Sequence, residues 1–346
     1  MSSKINRQQT KPPTMHDVAK LAGVSQSTVS RVLSVTAPSI SISEPTRQKI
    51  IDAAEQLGYQ LNWTARSLRT LHTQMMAMLI ADISNGFYHP MVRAFQDVAR
   101  AHHYDVLIAN SDHNYENERG FCEAMLRRPV DGIAMVPYHL TTGEIDRLIR
   151  LTNAHIAVLG NHITHPAIDK VWLDDEQATF EAVQWLIAQR PYRRFGYIGV
   201  PENLPPGPRR LRGFKRALAE TGLTLEPSLL RMGDFSIESG AQAMQAILKV
   251  VRPPFAILAC NDLMAIGAIR KAQEMGCAVP EDVGVIGFDD IPEAQMITPK
   301  LTTIAQPPRE IGKQLAQLLF DRIEKRVTGG PRSIVVDHRL IIRGSA

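Results

Sequence analysis

From Met76 onward the chain repeats one unit: a short apolar run, a small polar residue at its end, then a stretch with helical spacing. MAMLIAD, YDVLIAN, DGIAMVP, IAVLGN, FGYIGV, FAILACND and VGVIGFDD read as strands buried on both faces, because continuous apolar runs of this length have no polar side to turn to water. The segments between them are amphipathic; in MVRAFQDVARAH, Val92, Phe95, Val98 and Ala99 share one helical face. Strand followed by helix, many times over, predicts an α/β fold with parallel sheets flanked by helices. More than ten strand candidates over about 270 residues exceed one comfortable open sheet, so two lobes are expected.

In such sheets ligands bind at the carboxyl ends of the strands. Here those ends carry Asp82, Asn110, Asn161, Asn261, Asp262, Asp289 and Asp290. Each alone is more readily a helix cap than a ligand contact. With Phe87, Tyr88 and Arg210 they describe a polar cleft with aromatic stacking, suited to a small hydroxyl-rich molecule.

The first 72 residues are different. They hold nine Lys/Arg against four acids, whereas the rest of the chain balances 30 against 31. A basic head on a neutral body suits a polyanion, since each neutralised phosphate releases counterions. The spacing predicts three short helices there. Thr14 caps the first, with Asp17 as its capping-box partner and Val18, Leu21 and Ala22 on its apolar face, and Gly23 ends it. Ser25 caps the second, SQSTVSRVL, which sends Val24, Val29, Val32 and Leu33 one way and Gln26, Ser27, Thr28, Ser30 and Arg31 the other. The third follows Ser43, buries Ile50, Ala53, Ala54 and Leu57, and stops at Gly58. Two helices around a Gly turn, braced by a third, make a helix-turn-helix. The free face of the second is small and polar with one Arg, and no acid lies between Asp17 and Glu44, which is what reading base edges beside phosphates requires. After it, Asn62 can cap a short helix in which Leu68 stands between Arg66 and Arg69. That pattern fits a minor-groove wedge that folds only on DNA or against a twin.

Other classes find little support. No apolar run approaches the roughly 20 residues of a membrane helix, and the polar first 13 residues show neither an export signal nor an element, so a cytoplasmic protein is expected. Cys122, Cys260 and Cys277 are too dispersed for a disulfide framework or a metal knot. His162 and His165 have metal-like spacing without a third ligand and read as surface histidines; His102 and His103 read as a solvated helix end. Neither a GxGxxG after a strand nor a GxxxxGK[ST] or GxSxG motif occurs, so no enzyme, cofactor, catalytic residue or metal is expected.

The segments TMHDVAKLAGVSQSTVSRVL, ARSL, DISNGFY, VDGI, RRLRGF, ACNDLMAIGAI and VGVIGFDDIPEAQMITPKLTTIAQP, in this order, resemble the lactose- and galactose-repressor family of transcription regulators. The resemblance implies a helix-turn-helix domain over 1–60, a hinge helix and linker over 61–73, and a two-lobe periplasmic-binding-protein-like core over 74–346, with 74–173 and 308–335 in the first lobe. It implies a homodimer on a pseudo-palindromic operator, controlled by an effector between the lobes. A carbohydrate is favoured, with a purine or nucleoside co-repressor, or a sugar-binding module without DNA function, as alternatives. By the same resemblance Thr14 touches phosphate, Ser25, Thr28 and Ser30 position the second helix, and Gln26, Ser27 and Arg31 read bases. Asn62 starts the hinge helix, and Leu68 wedges into the minor groove. Asn161, Arg210, Asn261 and Asp289 contact the effector, with Phe87 or Tyr88 lining the cleft. The sequence departs from the family pattern in a longer SVTAPSISISE loop, in Leu61 and Gly86 where prolines are common, and in having no leucine heptad after HRLIIRGSA.

Overall fold

The computed structural model describes residues 13–33, 42–59 and 72–346. Asn62, Leu68, Leu61 and most of the long loop before the third helix therefore lie outside the described residues. The chain divides into two compact units, Met1–Thr73 and Gln74–Ala346.

In the first unit, α1 (Met15–Ala22), α2 (Gln26–Val32) and α3 (Glu44–Leu57) enclose a small core of Val18, Ala19, Val29, Val32, Ile50, Ala53 and Ala54. Gly23 and Gly58 end α1 and α3 in the left-handed region, at φ 69° and 63°, where a side chain would be strained. Two expectations change. The buried stripe of α1 is Met15, Val18, Ala19 and Ala22, an i, i+3, i+4, i+7 set, and Leu21 falls off it at 46% exposure. Ser30, expected on the free face of α2, is buried beside Val29.

The second unit contains two six-stranded sheets. β1 (Met75–Ile80), β2 (Asp105–Asn110), β3 (Gly132–Met135), β4 (His155–Leu159), β5 (Ile168–Trp172) and β11 (Ser333–Val335) form the first, in the parallel order β11-β5-β4-β3-β1-β2. β6 (Phe195–Gly199), β7 (Leu230–Met232), β8 (Phe255–Ala259), β9 (Val283–Asp289), β10 (Thr302–Ala305) and β12 (Arg339–Ile341) form the second, in the order β12-β10-β9-β8-β6-β7, with only β12 antiparallel. The chain crosses between lobes three times, after β5, after β10 and after β11.

Period-two alternation explains the layering. Met76, Met78 and Ile80 of β1 pack with α4 (Tyr88–Ala101) and α11 (Pro308–Ile323), while Ala77 and Leu79 pack with α5 (Tyr115–Arg127) and α6 (Thr142–Thr152). The second sheet is covered by the pairs α7 (Asp175–Gln189) with α8 (Pro206–Glu220) and α9 (Ile237–Leu248) with α10 (Asp262–Glu274). At Gly240 and Gly267 the backbones of α9 and α10 meet so closely that a Cβ on either would enter the other helix.

Strand β5 is absent from the apolar runs because its sequence, IDKVW, is broken by the adjacent Asp169 and Lys170. Asp169 is nonetheless buried: Arg322 and Arg332 grip its two oxygens at 2.8–3.2 Å, and the Arg332 backbone N–H adds a bond of 2.7 Å. His102 is likewise no solvated helix end. Its Nδ1 lies 2.6 Å from Glu324, and its ring stacks on Phe320 at 3.9 Å.

Candidate DNA-reading face and ligand cleft

The start of α1 is held by a complete capping box. The Thr14 backbone N–H and hydroxyl donate to Asp17 Oδ2 at 2.8 and 2.6 Å, and these bonds hold the Asp17 carboxyl below its ordinary range. At α2, Ser25 Oγ accepts from the Thr28 backbone N–H at 3.2 Å and lies 2.7 and 2.8 Å from the hydroxyls of Ser27 and Thr28. This network fixes the N-terminal turn. Gln26, Ser27 and Arg31 stand exposed, and Arg31 makes no ion pair among the described residues. The face thus offers a guanidinium, an amide and hydroxyls on a slim helix with no acid in its first turn. Ser30, turned into the core, is not on it.

In the second unit, the ends of β3, β4, β9 and β10 and the starts of α4, α7, α8 and α10 converge on a cleft between the lobes. One chamber is walled on the first-lobe side by Phe87, Tyr88, Val136, Tyr138, Leu159 and Trp172. Its second-lobe side carries Asp175, Arg209 and Arg210. A second chamber shares Phe87, Tyr88, Tyr138, Arg210 and Gln306 with the first and adds Asn85, His113, Phe235, Asn261 and Asp289. Of the six residues expected at an effector, Phe87, Tyr88, Arg210, Asn261 and Asp289 are brought together. Asn161 is not among the lining residues, although its neighbours Gly160 and His162 are.

Each polar side chain is positioned by its element. Arg210, on the first turns of α8, donates from Nε to Asp175 Oδ1 at 2.9 Å and from Nη1 to the Cys260 carbonyl, and its guanidinium lies 3.5 Å from the centre of the Phe288 ring. Burial opposes its charge, but the carboxylates of Asp175 and Asp289 outweigh that and hold it protonated. Asn261 caps α10: Oδ1 accepts from the Met264 N–H and Nδ2 donates to the Phe235 carbonyl, both at 3.0 Å. Asp289 ends β9 at φ 123° and accepts from Gln306 Nε2 at 2.7 Å. Burial pushes its carboxyl up to about 6, against the pull of Arg210 and Gln306. The strand-end residues Asp82, Asn110 and Asp290 instead brace loops, through Ser84, Ile83 and Arg343.

The walls are aromatic. His113 stacks on Phe235 (4.8 Å, 23°) and packs tilted against Tyr138 (5.0 Å, 30°), while Tyr138 and Phe235 lie 6.4 Å apart across the cleft. Burial keeps the Tyr88 and Tyr138 phenols protonated, and their hydroxyls lie 3.4 Å apart. Gly86, where a proline is common, lies against the segment after β9: a Cβ there would stand 3.0 Å from Glu293 Oε2 and 3.4 Å from Pro292. Sequence reading missed Tyr138, His113, Phe235, Trp172, Arg209 and Gln306. The aromatic ones lay in plain view, but nothing local distinguishes them from core residues. His162 stands at the cavity rim, where desolvation of its ring and the charge of Arg209 push it down to about 4. No group of side chains able to hold a metal exists among the described residues.

A family model described as "Bacterial regulatory proteins, lacI family" matches residues 14–62, and one described as "Periplasmic binding protein-like domain" matches residues 183–346. The HTH-type transcriptional repressor CytR of Escherichia coli (strain K12) is 35% identical over 345 residues, 99% of this chain and 98% of that one. The chain belongs to the lacI family. Like its relatives it is a DNA-binding transcriptional regulator, with an N-terminal helix-turn-helix and a periplasmic-binding-protein-like core. Another lacI-family relative, catabolite control protein A of Priestia megaterium, is 34% identical over 96% of this chain and 98% of its own. The crystal structure of the Lac repressor dimer bound to operator and the anti-inducer ONPF covers 97% of this chain and 99% of its own at a TM-score of 0.82 and 27% identity. No helix among the described residues is long and apolar enough to cross a membrane.

Proposed function

We propose that this regulator is a repressor that binds a pseudo-palindromic operator as a homodimer, through the outward face of α2, and that a small hydroxyl-rich effector in the cleft sets its operator affinity. The observation that carries the effector half is the convergence of Phe87, Tyr88, Arg210, Asn261 and Asp289 from the two lobes on one cavity. A ligand touching both lobes favours one disposition of them, and that difference in affinity between two states is the coupling, typically about 1–3 kcal/mol. On this reading Gln26, Ser27 and Arg31 read bases, Thr14 and the Ser25 network meet phosphates, and the segment with Asn62 and Leu68 is the hinge that enters the minor groove.

A carbohydrate suits Asp289 and Asn261, which bond hydroxyls, facing rings that cover an apolar sugar face. The stacked His113, Tyr138 and Phe235 favour a second reading, a nucleoside, whose base is flat and whose ribose supplies hydroxyls. Thermal shifts against sugars and nucleosides separate the two. A ligand at 100 times its dissociation constant stabilises by about 2.7 kcal/mol, and the shift should vanish in Asp289→Ala. Silence in the wild type from both classes and from their phosphorylated and carboxylated forms would remove the effector reading.

A further inference from the structure

The first chamber of the cleft is charged in one place only. Arg209 and Arg210 both line it, and one carboxylate, Asp175, serves both: Arg209 Nε and Nη2 sit 2.9 and 2.8 Å from Oδ2, and Arg210 Nε sits 2.9 Å from Oδ1. Asp289 lines the adjoining chamber and has one oxygen taken by Gln306. Nη1 of Arg209 and Nη2 of Arg210 are without a hydrogen bond among the described residues. A guanidinium only donates, so these ends are open to an acceptor. The first-lobe wall opposite is apolar and aromatic apart from His162, and it holds no carboxylate. The start of α8 cannot compete for a ligand's oxygens, because Pro205, Pro206 and Pro208 have no N–H. Any acceptor in this chamber is therefore met by two side-chain forks that share a single carboxylate, Asp175.

We propose that this chamber is an oxyanion seat: the effector carries a phosphate or carboxylate that Arg209 and Arg210 hold, while its hydroxylated ring occupies the adjoining chamber beside Asp289 and Asn261. This deepens the effector reading above and rests on it. Paired guanidinium groups match the geometry of either oxyanion, and a neutral sugar offers neither fork a charged acceptor.

The test is calorimetric titration and thermal shift of the full-length protein at fixed ionic strength. Probes are inorganic phosphate and matched pairs: hexose with hexose phosphate, hexose with uronate, nucleoside with nucleoside monophosphate. The expected result is a saturable shift with phosphate, and one anionic member binding at least tenfold more tightly than its neutral twin. The pair that responds tells phosphate from carboxylate. Arg209→Gln should abolish that preference and the inorganic phosphate shift, and Arg209→Lys should restore part of both. A neutral member that binds as well as its anionic twin, or a preference that survives Arg209→Gln, overturns the oxyanion seat and leaves the effector reading standing. No shift with any probe removes both.

Discussion

Arg31 is the one charged side chain on α2, exposed and without an ion pair among the described residues, so its guanidinium is free to bond a base edge. Arg31→Ala should relax base preference at one position of each half-site by about 1–3 kcal/mol, measured by selection from randomised operators; an unchanged preference assigns the reading elsewhere. Asp289 makes a second prediction at this scale. An ionised carboxylate accepts from a ligand hydroxyl more strongly than the protonated acid does, and burial raises this one to about 6. Effector affinity should therefore be level above pH 7 and fall toward tenfold per pH unit well below 6, as titration calorimetry at several pH values would record. Asp289→Asn should flatten the profile.

Among the elements, β5 and α11 depend on one buried charge. Burial alone would raise the Asp169 carboxyl, and the hydrogen bonds from Arg322 and Arg332 reverse that and hold it below the usual range. Asp169→Ala leaves Arg322, 14% exposed, without a carboxylate, while Arg332, 25% exposed, keeps only Asp321. The cost should be about 3–5 kcal/mol in denaturant unfolding, with the loop that joins α11 to β11 opening first to hydrogen exchange, because Arg322 also donates to the Gly329 and Gly330 carbonyls. The same example shows why some elements were legible and β5 was not. Apolar runs announce strands whose neighbours are apolar helices; IDKVW is a strand because two arginines from 153 and 163 residues away cover its aspartate. Edge strands β7, β11 and β12, three residues each, carry too few side chains to show a period.

For the whole molecule, pH dependence of stability follows from groups buried without full compensation. Burial, with repulsion from Asp289, pushes the Asp262 carboxyl up to about 8, although Thr303 and the Ile291 N–H donate to it. A group whose folded pKa lies above its unfolded value adds stability that is complete below the unfolded value and is lost as pH rises through the folded one. His162 works the other way, but only below about 6.5, because its folded value is depressed. From pH 6.5 to 8 the unliganded protein should thus lose up to about 1.4 kcal/mol per pH unit, and Asp262→Asn should flatten that slope in chemical denaturation. DNA binding carries its own whole-molecule signature. With the excess charge confined to the first 72 residues, operator affinity should fall about 10³-fold or more between 50 and 200 mM salt, while effector affinity should change far less.

The sequence by itself determined everything governed by near neighbours. Thr14 with Asp17, Ser25 with Thr28, and the left-handed Gly23 and Gly58 set helix ends through bonds spanning three or four residues. The strand and helix rhythm set the α/β class, because burial of apolar runs leaves few alternatives. Only the tertiary structure decided which exposed-looking residues are inside. Ser30 turned into the core while Leu21 turned out, since a short helix buries whichever stripe its partners cover. Only it assembled the cleft. Five of six expected contacts met there, Asn161 did not, and Arg209, His113, Tyr138, Phe235 and Gln306 joined them. Those residues lie on separate elements of both lobes, and the chain's three crossings, which no local pattern encodes, bring them to one place.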